Sequence, residues 1–214
     1  MVEYVEAIKR PFSDAGKLVL SIVLAIIPIV QFIFMGYALN VAKSAMAKDF
    51  KLPEYRDFGK LFIDGLLVFI INIIYSLPML VLMGIFFFVG AFSVGNLFTG
   101  ILSGQGALGL LGIFAGLGVY MVVFAIVGII FSILGLSAQM RFADVREFGA
   151  AFEFGAVGKK AFTGTFIVGW ILGMIIGGVI GGLLSLIPFV GIIIGLPVFV
   201  IISYTIIGQA YSEA

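Results

Sequence analysis

The 214-residue sequence predicts an all-α integral membrane protein: six transmembrane helices set out as three parallel-repeat helical hairpins joined by cytoplasmic amphipathic linkers. Three observations lead there. The composition is 63% hydrophobic and 11% charged, with mean hydropathy +1.30. A soluble globular chain carries about 25% charged residues, so this chain lacks the polar surface to face water. Residues 61–89 hold one charge, Asp64, and residues 107–139 hold none; each run exceeds the ~20 residues needed to cross a hydrocarbon core. Finally, the runs are continuously apolar rather than alternating. That excludes a barrel, and in lipid only helices and closed barrels satisfy their own backbone.

The first apolar segment, residues 14–27, opens at Ser13 as a candidate N-cap and is short, roughly 21 Å of helix. Residues 29–47 form the second, 61–89 and 107–139 the long third and fourth, 162–186 the fifth and about 192–211 the sixth. Two joints, IPIV at 27–30 and IPFVG at 187–191, admit either a kink or a tight hairpin, because proline permits both. The charges decide. Lysine and arginine occupy positions 9, 10, 17, 43, 48, 51, 56, 60, 141, 146, 159 and 160. With both joints as hairpins, all of them fall on one side, opposite IPIV, the uncharged loop 91–106 and IPFVG. Lys/Arg bias marks the cytoplasm, so both termini are expected inside, in a multi-pass protein of the cell membrane. The segment 9–27 does not read as a signal peptide: no small-x-small site follows it promptly and the apolar pattern resumes after Pro28.

This topology predicts one transmembrane domain, with hairpin 1 at 14–47, a linker at 48–60, hairpin 2 at 61–139, a linker at 141–160 and hairpin 3 at 162–211. It also accounts for a repeat. RDFGKLFIDG, residues 56–65, recurs as REFGAAFEFG, residues 146–155, in both cases after an outward-to-inward helix. In the first linker Pro53 sits at an expected first helical position, with Glu54 and Asp57 in the opening turn and Tyr55, Phe58 and Phe62 on one face. In the second, Phe142, Val145, Phe148 and Phe152 share a face. Both read as amphipathic helices lying in the interface, aromatic side down. Adjacent residues on a helix cannot pair, so the expected ion pairs are exchanged between copies, Arg56 with Glu147 and Arg146 with Asp57. Solvated charges without a specific partner are the alternative.

RPFSD, IPIVQFIFMGYALNV and LPEYRDFGKLFIDGL resemble the signature of a prokaryotic family of polytopic membrane proteins known only as a domain of unknown function. Its pattern is a basic-PFSD start, IPIV and GYAL, then LPEW-D-W-G-x-LF-x-x-GL. Tyr55 and Phe58 stand here where tryptophans are usual. The resemblance covers about residues 9–78; it implies membrane placement and supplies no catalytic or binding residue.

Cysteine and histidine are both absent, which removes disulfides, thiol chemistry, imidazole ligands and histidine proton relays. The net charge of +1 and the lack of an unbalanced basic cluster argue against nucleic acid. GAVGKKAFTGT, residues 155–165, is no phosphate loop, since Glu153 and Lys160 break the motif. No nucleophile–base set appears and no acid pair stands clear of lysine and arginine, so neither enzyme activity, cofactor nor metal is expected. Among ionisable residues Asp64 and Lys43 lie near helix ends and read as interfacial anchors. Asn72, Tyr75 and Ser76 lie on one face just before Pro78 and, with Asn40, form a candidate polar pocket; inter-helix hydrogen bonding is the other reading. Gly173, Gly177 and Gly181 in the fifth span, and Gly112 and Gly116 in the fourth, are candidate helix-packing faces, within the chain or toward a second subunit. The expected function is non-enzymatic: binding of lipid or another apolar ligand, or an accessory or scaffold role. Membrane lipids, another copy or a partner membrane protein are the expected partners. The alternative is a passive channel for small neutral solutes, lined by the polar residues above.

Overall fold

The structure is a computed structural model, described over residues 2–102, 106–188 and 191–214. Among these residues every regular element is a helix: α1 (Tyr4–Lys9), α2 (Ala15–Ile26), α3 (Gln31–Met46), α4 (Phe58–Leu102), α5 (Gly106–Val145), α6 (Phe154–Ala161), α7 (Gly164–Ser185) and α8 (Gly191–Glu213), with 3-10 turns at Arg10–Ser13 and Phe148–Phe152. Among the described residues four helical stretches are long and apolar enough to cross a membrane: Phe58–Gly90, Gly109–Val145, Gly164–Ser185 and Gly191–Glu213. At 12 and 16 residues, α2 and α3 are shorter, about 18 and 24 Å against a hydrocarbon core of about 30 Å.

The chain divides into two compact units, Met1–Asn72 with Ile133–Ala214, and Ile73–Ser132. In the first, α8 is central, and α1, α2, α3 and α7 all pack on it. Its Val198, Ile201, Ile202, Ile206 and Ile207 are fully buried. Glycines set the approach of neighbouring helices. A Cβ at Gly173 would press on Ile207, one at Gly177 would meet Phe199 O at 3.0 Å, and one at Gly181 would meet Gly195 O at 2.7 Å. Contacts descending α8 as they ascend α7 make the pair antiparallel, and side-chain-free backbone is what lets it close. Likewise a Cβ at Gly36 would overlap Leu61 O, and one at Gly65 would overlap Phe32 O, so α3 and α4 meet glycine to backbone on both sides. The second unit contains only the α4 and α5 stretches it spans. They are antiparallel, with Met79 against Gly128 and Phe86 stacked on Tyr120 at 4.2 Å.

Both proline joints separate two helices as expected, while the α2 cap and the 91–106 loop differ from expectation. IPIV is a turn between two helices: α2 stops at Ile26, Ile29 takes φ 72° and Gln31 N–H donates to Ile27 O at 2.9 Å. In IPFVG, Phe189 and Val190 lie outside the described residues, but α7 ends at Ser185 and α8 begins at Gly191 around them. The cap of α2 is Asp14, whose Oδ1 accepts from Lys17 N at 3.0 Å, whereas Ser13 Oγ donates to Arg10 O. The expected loop 91–106 is helical as far as Leu102, with residues 103–105 outside the described set.

Neither linker is the amphipathic helix expected. Residues 50–57 contain no helix, since α4 starts at Phe58 on an Asp57 cap that accepts from Lys60 N at 3.1 Å. The linker carbonyls are taken by cations instead: Arg10 binds Asp49 O and Lys51 O, and Lys17 binds Leu52 O. In the second linker, Arg146 at φ 64° ends α5, and a 3-10 turn follows before α6. Phe142, Phe148 and Phe152 still touch edge to face, but across the end of α5 at Arg146 and within the 3-10 turn rather than along one helical face. The two copies of the decapeptide therefore adopt different backbones.

Candidate functional site: buried polar ties and an apolar groove

Arg10, the basic residue of RPFSD, is 1% exposed. The Pro11 turn delivers its guanidinium between α3, α8 and the first linker. There Nη1 donates to Val41 O and Thr205 Oγ1, each at 3.0 Å, and Nη2 to Ser44 Oγ, Asp49 O and Lys51 O. Every one of these acceptors is neutral. Burial pulls the Arg10 pKa down to about 10, opposed by Tyr37 and Asp49, so the group remains a cation at neutral pH. The planar guanidinium, through its two terminal nitrogens, suits this role and an ammonium does not.

A second tie holds α3, α4 and the end of α5. Arg146 Nη1 donates to Asp64 Oδ2 at 2.9 Å and Nη2 to Asn40 Oδ1. Burial lowers the Arg146 pKa, with the Asp64 carboxylate partly restoring it. This corrects the expected exchange between repeats: Arg146 meets Asp64, about two turns along α4 from Asp57, which serves as the α4 cap. Among the described residues no ion pair joins Arg56 to Glu147, and both are exposed. Asp64, 8% exposed, is a buried partner rather than a snorkelling anchor.

The polar residues expected to line a pocket are divided. Asn72 Oδ1 accepts from Gln139 Nε2 at 2.7 Å, and Gln139 Oε1 accepts from Tyr204 Oη, which strings α4, α5 and α8 together. Asn40 is engaged by Arg146. Tyr75 is buried, and Ser76 Oγ donates to Ile73 O of its own helix at 2.8 Å; both belong to the other unit. Mutually satisfied groups of this kind bind helices together.

Aromatic contacts explain two motif residues. Tyr55 of LPEY stacks on Tyr37 of GYAL at 3.9 Å, and its hydroxyl lies 2.7 Å from Ser21 Oγ. Lys17 Nζ reaches Glu54 at 2.7 Å beside them. Sequence reasoning missed Arg10, Gly36 and Gly65, although the RPFSD, GYAL and DGL motifs contain them.

In the second unit the two helices leave an apolar groove of about 520 Å³. Ile85, Phe86 and Val89 form its α4 wall; Gly112, Gly116, Tyr120 and Val123 form the α5 wall. A Cβ at Gly112 or Gly116 would meet nothing within 4 Å. These glycines therefore open a trough, whereas those of α7 close a helix pair. Neighbouring side chains Phe87, Phe114 and Met121 are each about two-thirds exposed.

Helices of this length and apolarity define a helical membrane protein. The chain belongs to the family described as protein of unknown function DUF4013, whose profile matches residues 19–189. No curated protein and no solved structure matches the chain.

Proposed function

We propose that the protein is a non-enzymatic, multi-pass protein of the cell membrane that holds a lipid or another apolar ligand. The groove between α4 and α5 carries the reading. Its volume of about 520 Å³ falls within the usual 300–1,000 Å³ of ligand sites, and its surroundings are uncharged from Asp64 to Arg141. An accessory role toward another membrane protein would use the same bare faces.

The four long helices cross the bilayer in this reading. The shorter α2 and α3 form a hairpin that goes in and returns, whether or not its tip emerges. Either depth leaves Lys17 and Lys43 on the same side, so the basic collar and both termini remain cytoplasmic. The first test is native mass spectrometry of the protein released gently from its own membranes. The expected result is a defined apolar mass retained by the wild type. Release of bare protein under conditions that preserve its helicity rejects the reading.

A further inference from the structure

We infer that the groove selects its ligand by hydrocarbon chain and is blind to the headgroup; the inference rests on the lipid-binding reading above. The trough runs from Gly112 to Val123 along α5, about 16 Å at the helical rise. A single leaflet offers chains of about 15 Å, half of a hydrocarbon core of about 30 Å. The length thus fits one lipid chain.

Its walls offer such a chain little besides carbon. Phe86 of the α4 wall stacks on Tyr120 of the α5 wall, and Gly112 and Gly116 leave open space where side chains would stand. Among the described lining residues the Tyr120 hydroxyl is the sole side-chain polar group, and no charged residue occurs between Asp64 and Arg141. A charged headgroup would find neither a counter-ion nor several hydrogen-bond partners here. Its desolvation would go unpaid. The occupant is therefore a hydrocarbon chain whose polar end lies outside the groove.

The test uses full-length protein exchanged into detergent containing phosphatidylcholine, phosphatidylglycerol or diacylglycerol of identical chains, read by native mass spectrometry. The three should be retained to within about twofold of one another, because none presents a different group to the groove. Gly112→Leu and Gly116→Leu should each reduce retention about tenfold or more, the loss of roughly two methylene contacts. Gly118→Leu, at a position also open to 4 Å but outside the groove, should retain lipid as the wild type does. Retention that follows headgroup charge overturns the inference while leaving lipid binding intact. Equal loss in Gly118→Leu, or a change in subunit number without loss of lipid at Gly116→Leu, also overturns it, the latter showing that the groove seats a second copy. Absence of lipid from the wild type rejects the underlying reading itself.

Discussion

Single side chains of the first unit act as ties between segments distant in sequence, and Arg10 is the clearest. Its removal strands several buried acceptors at once, at about 1–3 kcal/mol for each group left unpaired. Arg10→Met is expected to lower stability in detergent by about 3 kcal/mol or more, and Arg10→Lys to recover less than half, because a point charge cannot span the same acceptors. Denaturant unfolding measures both. The Arg146–Asp64 pair gives a reversible counterpart, with both side chains largely buried. Asp64→Asn should cost about 3 kcal/mol by leaving a buried guanidinium without its counter-ion, and the exchange Asp64→Arg with Arg146→Asp should restore part of that. No recovery in the double variant would show that Asn40 and the local packing, rather than the ion pair, hold these helices. Asp14 carries a pH signature: the Lys17 N–H holds its carboxyl below the ordinary 3.8. A carboxylate depressed on folding adds stability above its unfolded pKa, which disappears as pH falls through the folded value. Asp14→Ser caps without titrating. Its unfolding midpoint should therefore change less than the wild type's as acid is added below about pH 4.

At the scale of elements, glycines with the same sequence spacing do opposite work. Gly36, Gly65, Gly177 and Gly181 sit against backbone of a neighbouring helix, while Gly112, Gly116, Gly178 and Gly182 have open space. Alanine at the first set should destabilise by roughly 1–3 kcal/mol, since a methyl group must push two helices apart. Alanine at the second should be neutral or stabilise by up to about 1 kcal/mol through helix propensity. A thermal-shift series over the two sets reads the difference directly. Uniform loss at both would mean that the open faces are covered by a partner in the membrane.

For the molecule as a whole the testable property is sidedness. The chain has no cysteine, so single substitutions Lys51→Cys, Lys60→Cys and Lys159→Cys can be labelled one at a time in oriented vesicles. All three should react from the same face. Reaction of Lys159→Cys from the opposite face would refute the arrangement in which both linkers are cytoplasmic. Ile29→Cys, in the turn between α2 and α3, then measures how far that hairpin penetrates, since a buried tip resists labelling from either side.

Apolar run length, proline position and the placement of lysine and arginine were enough to predict an all-helical membrane chain and to find its long helices, because in lipid the backbone must satisfy itself within each segment. The same run lengths suggested six spans, and α2 and α3 are shorter than the four long helices: hydropathy reports what a segment tolerates, whereas turn geometry at Ile29 and Lys48 sets where each helix ends. The repeated decapeptide was legible as sequence and misleading as structure. Its second copy forms a 3-10 turn at Phe148–Phe152 where the first runs straight into α4, and the first linker folds around cations reaching in from elsewhere. Partner choice for Arg10, Arg146 and Asn72, and whether a glycine closes a contact or opens a groove, depend on what another segment places opposite. Long-range packing supplies that information, and local pattern does not contain it.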